Sequence, residues 1–171
     1  MPALGIADDN NLFAALKFYK RAIEIGIKPI IGATVSIHPG ASERISKLIL
    51  LCKNTTGYKN LSNLITRSYL EGYQKGKVLV DIDWLDGKSA SGLIAISGGY
   101  NGFIQNLLLS EKSRTASKQV ERLQFIFPED LFLQIHKLGG NRDEELLEKT
   151  VEIASLAEVP LLAGNNPRFL N

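Results

Sequence analysis

The chain opens with MPALGIADDNNLFAALKFYKRAIEIGIKPIIGATVSI, residues 1–37, and this stretch decides the fold. It holds a short apolar run at 4–7, a polar turn that contains Asp8 and Asp9, a helical pattern at 12–25 and an apolar run that begins at Ile30. Strand, turn, amphipathic helix and buried strand in this order predict one βαβ unit. Because ligand sites of α/β sheets collect at the carboxyl ends of strands, Asp8 and Asp9 are the first candidate site residues.

The helical pattern of this unit carries apolar residues three and four positions apart, which predicts one buried face. That face comprises Leu12, Leu16, Tyr19 and Ile23, with Phe13, Ala15 and Ala22 on its flank. Asn10 or Asn11 is the expected N-cap, and Gly26 is placed to end the helix in a left-handed conformation. We therefore expect the helix to lie on the sheet through this face.

Strand and helix signals alternate along the rest of the chain. Apolar runs predict strands at 47–51, 92–97, 131–135 and 159–163, and helical spacing predicts helices at 58–69, 103–108, 110–127 and 143–157. Asn54 offers a cap for the first of these helices. The run at 47–51 is nearly all apolar, as expected of a strand covered on both sides in a parallel sheet. The pattern predicts a parallel α/β fold with fewer strands than a closed barrel needs.

Composition narrows the function classes. The 171 residues are 44% hydrophobic and 22% charged, as in an ordinary soluble domain. The net charge of +2 comes from 20 basic and 18 acidic residues without a run of one sign, so no nucleic-acid patch is visible. The one cysteine, Cys52, is expected to be a buried strand residue. No membrane span or secretory signal is found, which predicts a cytoplasmic protein without a membrane partner.

The common catalytic motifs are absent. No glycine-rich turn follows the first strand, and neither Gly-x4-Gly-Lys-Ser/Thr nor Gly-x-Ser-x-Gly occurs. The segment Gly98-Gly-Tyr-Asn-Gly102 is expected to be a tight turn. His38 and His136 are lone histidines for which a structural role is the prior expectation. The sequence therefore shows no nucleophile and no dinucleotide site.

Several blocks of the sequence resemble the PHP (polymerase and histidinol phosphatase) domain of bacterial replicative DNA polymerase III alpha subunits. They include Gly26-Ile-Lys-Pro-Ile-Ile-Gly32, Asn54-Thr-Thr-Gly-Tyr-Lys-Asn-Leu61, Gly92-Leu-Ile-Ala-Ile-Ser-Gly98 and Asn165-Asn-Pro-Arg-Phe169. The resemblance implies an α/β fold, the PHP-type distorted (βα)7 barrel. Residues 1–171 are expected to form a single, incomplete PHP domain fragment, without the first strand with its His-x-His segment and without the C-terminal part of the domain.

The resemblance also implies that active members bind three metal ions, and this chain departs from their ligand set. Asp8 matches an aspartate of that set. The other vestigial positions hold replacements: Asp9 for a histidine, Thr34 for a glutamate, Gly99 for a cysteine, Leu138 for a histidine, Asn166 for an aspartate and Arg168 for the last histidine. Arg168 would also place a positive charge against a bound cation. We expect no catalytic residue, no metal ligand and no cofactor in this segment.

Such losses are similar to those of inactive PHP domains in alpha subunits that bind a separate proofreading exonuclease. The resemblance implies a non-catalytic scaffold for the exonuclease and other polymerase III holoenzyme subunits, with DNA bound by the rest of the polymerase. The sequence does not indicate which residues bind a partner. Two alternatives remain: a divergent metal-dependent phosphoesterase that uses Asp8 and Asp9 with zinc or manganese, and a small domain that binds an anion at Arg168 and the Gly98-Gly99 turn.

Overall fold

The computed structural model describes residues 1–38, 44–136 and 143–164, with the backbone alone at residue 100. Its strands are β1 (Ala3–Asp9), β2 (Lys28–Ile37), β3 (Ser46–Cys52), β4 (Tyr73–Gln74), β5 (Lys77–Val78), β6 (Leu93–Ile96), β7 (Leu131–Ile135) and β8 (Leu161–Ala163). Its helices are α1 (Ala15–Glu24), α2 (Thr55–Leu70), α3 (Phe103–Leu109), α4 (Ser113–Ile126) and α5 (Asp143–Leu156).

Six strands form one curled sheet, a partial barrel, in the order β1-β2-β3-β6-β7-β8, while β4 and β5 form a separate small hairpin. The predicted α/β class and the incomplete barrel are confirmed. The expectation of a parallel sheet is wrong for β3, which runs antiparallel to both β2 and β6. An apolar run buried on both faces reveals a strand but carries no information on its direction.

The reversed β3 determines which groups meet at the functional edge of the sheet. The parallel pairs β1/β2, β6/β7 and β7/β8 have their carboxyl ends there. Because Ser46 pairs with Ile37, the amino end of β3 lies at the same edge. We call this side the carboxyl edge. Lys47, near the amino end of β3, therefore lies beside the carboxyl ends of the neighbouring strands.

The core lies between the sheet and helices α2, α3, α4 and α5. Its fully buried members include residues of β2, β3, β7, α2, α3 and α4: Val35, Ile37, Leu48, Leu50, Leu133, Leu61, Ile104 and Leu123. Helix α3 is buried along nearly its whole length. Burying these side chains drives folding because each removes a large apolar area from water.

Helix α1 buries the flank of the predicted face but not its large side chains. Ala15 and Ala22 are buried, whereas Leu16 is 64% exposed and Ile23 is 55% exposed. Tyr19 and Phe13 are exposed as well. The apolar spacing is real, but the smaller alanines allow the helix to approach the sheet. A stripe of large apolar side chains therefore faces outward.

Helix ends follow the prediction in two cases of three. Asn54 caps α2 through its side chain, which accepts a hydrogen bond from Gly57 N at 3.0 Å. Gly26, just after α1, is left-handed with φ +73°. The predicted caps of α1 are wrong: the helix starts after Ala14 without a side-chain cap. Asn10 is instead bonded to Ser36.

Helix α2 approaches the strand region closely at one point. A Cβ built on Gly57 would overlap the carbonyl of Gly92. Gly92 has φ +76°, and a Cβ there would come within 2.5 Å of Asn54 Oδ1. The two glycines thus set the distance between the start of α2 and the turn before β6. In the described residues, no helix has both the length and the apolar character needed to cross a membrane.

Candidate functional site

The two carboxylates after β1 have separate partners. Asp9 Oδ1 accepts a hydrogen bond from Lys47 Nζ at 2.7 Å, which forms an ion pair at the carboxyl edge. Asp8 Oδ2 accepts from the backbone N–H of Ala14 at 3.4 Å, next to the start of α1. Successive side chains of a strand point to opposite faces, which agrees with these partners. The carboxylates therefore do not converge on one ion.

Thr34 also makes an internal contact. Its hydroxyl donates to the carbonyl of Ala7 at 3.1 Å, across the β1/β2 pair in which Asp9 lies opposite Thr34. Asn10 makes a double contact with Ser36: Asn10 Nδ2 donates to Ser36 Oγ at 3.0 Å, and Ser36 N donates to Asn10 Oδ1 at 2.8 Å. This amide contact was not expected from the sequence. It holds the end of β1 against β2.

The Gly98-Gly99 segment is a tight turn, as predicted. Both glycines are left-handed, with φ +82° and +62°, and Gly102 N donates to Gly99 O at 2.7 Å. The turn leads into α3. Arg168, the proposed partner of this turn in anion binding, lies outside the described residues, as do the vestigial positions Leu138 and Asn166.

His136 lies against this turn. It follows β7 directly, and a Cβ built on Gly99 would overlap its imidazole ring at Nε2 and Cδ2. The structure thus places one of the vestigial positions against a histidine that was predicted to be isolated. No sequence signal could pair them, because they are distant in the chain and meet only through the β6/β7 pairing.

A buried hydrogen-bond network lies next to the Gly98-Gly99 turn. Gln105 Nε2 donates to Ser97 Oγ at 2.9 Å and to Gln134 O at 3.1 Å, and Gln134 N donates to Ser97 Oγ at 2.9 Å. Ser97 is fully buried, so these bonds tie β6, β7 and α3 together without solvent. Two polar atoms of the region have no partner: Gln105 Oε1 and His136 Nδ1. Both residues line a cavity of about 10 Å³.

The residues present fit a metal cluster poorly. Across the described ranges 1–38, 44–136 and 143–164, no three His, Cys, Asp or Glu side chains come together. The ammonium of Lys47 already neutralises Asp9, Thr34 supplies only a neutral hydroxyl, and Gly99 has no side chain. Divalent cations need several oxygen, nitrogen or thiolate ligands in one cavity. The described part of the site does not supply them.

Cys52 lies away from the carboxyl edge, at the end of β3. Partial burial raises the pKa of its thiol to about 11, so the thiol is neutral near pH 7. It lines a groove of about 330 Å³ between α1 and α2. The groove also exposes Leu16, Tyr19 and Tyr58. We call it the α1–α2 groove.

The sequence is similar to known proteins over its whole length. The family model described as "PHP domain" matches residues 1–137. DNA polymerase III subunit alpha of Pseudomonas aeruginosa is 36% identical over 99% of this chain, which spans 14% of that protein. The same subunit of Escherichia coli K12 is 36% identical over the full chain and is covered to 15%.

A more distant likeness is to a solved structure from Bifidobacterium adolescentis, named for a metal-dependent phosphoesterase. It covers 96% of this chain and 76% of that one, with a TM-score of 0.46 and 11% identity. That likeness is weak. The match of the family model to 137 consecutive residues is decisive. This chain belongs to the PHP domain family, and its curated relatives are alpha subunits of bacterial DNA polymerase III.

Proposed function

We propose that this chain is the PHP segment of a replicative DNA polymerase III alpha subunit, a DNA-directed DNA polymerase and nucleotidyltransferase. Within it, the segment acts as a non-catalytic scaffold that docks the proofreading exonuclease subunit. The observation that carries the proposal is the use of the vestigial positions for internal contacts. Asp9 pairs with Lys47, Thr34 with Ala7, and Gly99 makes room for His136. A site used in this way holds the sheet together instead of binding ions.

The docking surface that we propose is the α1–α2 groove. It combines a concave apolar surface with two half-exposed tyrosines, Tyr19 and Tyr58. Tyrosine is enriched at protein interfaces because it offers a large rigid contact area and a polar tip. The large apolar residues of α1 continue this surface toward Ile23. Such a face is costly to leave in water and is typical of an interaction site.

The test of docking uses the whole polymerase polypeptide and the exonuclease subunit from the same source. Tyr19→Ala and Tyr58→Ala should each weaken binding, measured by calorimetry, by roughly tenfold or more if these residues are interface anchors. Tyr73→Ala is the matched control, since Tyr73 is an exposed tyrosine on the β4/β5 hairpin. Unchanged affinity of both groove variants, or equal loss in the control, contradicts this surface.

The test of the non-catalytic role is independent. Metal content of the whole polypeptide, grown with zinc and manganese and measured by mass spectrometry, should show no ion that Asp8→Asn and Asp9→Asn remove. Phosphate release from a generic phosphomonoester should be equal in the wild type and in these variants. The alternative, a metal-dependent phosphoesterase that uses Asp8 and Asp9, requires stoichiometric metal and loss of activity in the variants.

A further inference from the structure

The imidazole of His136 lies where a side chain of residue 99 would be. Gly99 has φ +62°, and a Cβ built on it would overlap the ring. Two separate constraints therefore require glycine: the left-handed backbone and the volume of the ring. The resemblance implies a cysteine at this position in metal-binding members. In the present arrangement, a side chain at 99 and the His136 ring exclude each other.

Beside the ring lies a small cavity of about 10 Å³. Its wall is mostly apolar, with Leu146 and Leu147, and the polar side chains in it include Gln105, Gln134, His136 and Thr150. Gln105 is 1% exposed, and its Oε1 has no hydrogen-bond donor. Its orientation is fixed because Nε2 donates to the carbonyl of Gln134, which can only accept. Buried acceptors without a donor are costly, so a ligand that donates is expected here.

We infer that Gly99, His136 and Gln105 form a site for one bound water molecule in the place of a former metal ligand. The volume suits a single water. That water donates one hydrogen to Gln105 Oε1 and forms a second hydrogen bond with His136 Nδ1. Both unpartnered atoms then gain a partner at once. Asp143 also lines the cavity, and it has an interaction of its own.

This inference deepens the proposed non-catalytic role and rests on it for reading position 99 as a former ligand position. The ring and the water together would fill the space that a cation needs. A cation at the cavity would meet the His136 imidazole, the neutral amides of Gln105 and Gln134, and one carboxylate, that of Asp143, which has an interaction of its own. One imidazole and one carboxylate are a poor set of ligands for a divalent ion. The His136 ring and the water thus occupy the space next to Gly99 that a metal ion would need.

The first test is a crystal structure of the whole polypeptide, grown with zinc and manganese, at a resolution that shows ordered water. We expect one peak within hydrogen-bond distance of both Gln105 Oε1 and His136 Nδ1, without anomalous signal at the zinc or manganese edge. An anomalous peak at this place, an empty cavity, or a His136 ring turned away from Gly99 overturns the inference.

The second test is a double-mutant cycle read by amide hydrogen exchange of β6 and β7 in the whole polypeptide. Gly99→Ala should raise exchange there roughly a hundredfold, because backbone strain and overlap with the ring combine. In a His136→Ala background, Gly99→Ala should raise the exchange rate of β6 and β7 only about tenfold, as expected from left-handed backbone strain alone. Equal factors in the two backgrounds overturn the interlock of Gly99 with His136.

A matched control measures the backbone strain by itself. Gly26 has φ +73° and no atom within 4 Å of its would-be Cβ. Gly26→Ala should therefore raise exchange in β2 by only about tenfold. None of these outcomes depends on exonuclease binding. If the exonuclease does not bind at the groove but the effects of Gly99→Ala and His136→Ala are non-additive, only the scaffold proposal is contradicted. If the exonuclease binds but the two effects are additive, only this inference is contradicted.

Discussion

Lys47 Nζ lies 2.7 Å from Asp9 Oδ1 and joins β3 to β1 across the intervening β2. The pair exists because β3 is reversed, so the start of that strand reaches the edge where β1 ends. Its side chains are 38% and 65% exposed. An ion pair this open to water neutralises the carboxylate locally but adds little to the stability of the fold.

Lys47→Ala should consequently change the free energy of unfolding by less than about 1 kcal/mol. Urea unfolding at low and high salt measures it, and the small difference should shrink as salt screens the pair. Lys53→Ala, which removes the ion pair with Asp130, provides a comparison of the same kind. A loss of several kcal/mol would show that Lys47 has a role beyond this pair.

Gly57→Ala should destabilise the protein, although alanine favours helices. Propensity alone predicts a gain of about 1 kcal/mol in α2. The added methyl would overlap the carbonyl of Gly92, and overpacking of this kind costs about 1–3 kcal/mol or more. Urea unfolding decides the sign. Ser62→Ala, at a partly buried position of the same helix, should not show the reversal, and a stabilised Gly57→Ala variant would contradict the close approach.

Asn54→Ala should cost about 1 kcal/mol of stability, because the N-cap bond to Gly57 N is lost. Thermal and urea unfolding both report this change. The exposed mid-helix Asn63→Ala serves as the control and should be neutral or slightly stabilising, since it removes no cap. Equal effects at the two positions would mean that the cap contributes nothing.

Cys52 should react slowly with iodoacetamide in the folded protein. Burial raises the pKa of its thiol from 9.0 to about 11. At pH 8 the thiolate fraction is then about a hundredfold lower than in the unfolded chain. The rate should rise with pH until about pH 11. Between pH 9 and 11 the unfolded chain releases this proton more readily than the native one, so native stability should fall with pH.

The control for Cys52 is the same reaction in concentrated urea, where the rate should match that of an ordinary cysteine. Equal rates in native and unfolded protein would contradict the burial effect. The reaction also reports on docking: since Cys52 lines the α1–α2 groove, bound exonuclease should slow its alkylation further. Tyr58→Ala should remove that protection along with the binding.

The outward face of α1 predicts a contrast between two leucines. Leu16→Ala should change stability by about 0.5 kcal/mol or less, because Leu16 is exposed. Leu50→Ala should cost about 2–5 kcal/mol, because Leu50 in β3 is fully buried. Urea unfolding of the two variants measures both values. A large loss for Leu16→Ala would show that α1 packs through the face predicted from the sequence.

Local chemistry made much of the fold predictable. The helix beginning after Asn54 and the left-handed Gly26 follow from side-chain capping and glycine geometry, which act over a few residues. The direction of β3 did not follow, since a buried run looks the same in both orientations. The face of α1 that packs on the sheet could not be predicted either, because the same periodicity is shown by a stripe of alanines and by a stripe of larger apolar residues. It cannot decide which of them meets the sheet.

The site was predictable only by position. The resemblance located Asp9, Thr34 and Gly99, but their partners come from distant strands and could not be read from spacing. Lys47 reaches Asp9 through the reversed strand, and His136 reaches Gly99 through β7. Ser97 and Gln105 gave no sequence signal, because buried serine and glutamine are recognised by their hydrogen bonds alone.

The contact of His136 with Gly99 also constrains the evolution of this domain. The glycine codons GGT and GGC become cysteine codons by one nucleotide change, so from either of them the cysteine that the resemblance implies for active members is one mutational step away. That step is harmful while the imidazole fills the space and the backbone is left-handed. A side chain at 99 fits only after His136 has changed, so we expect the effect of a substitution at one of the two positions to depend on the residue at the other.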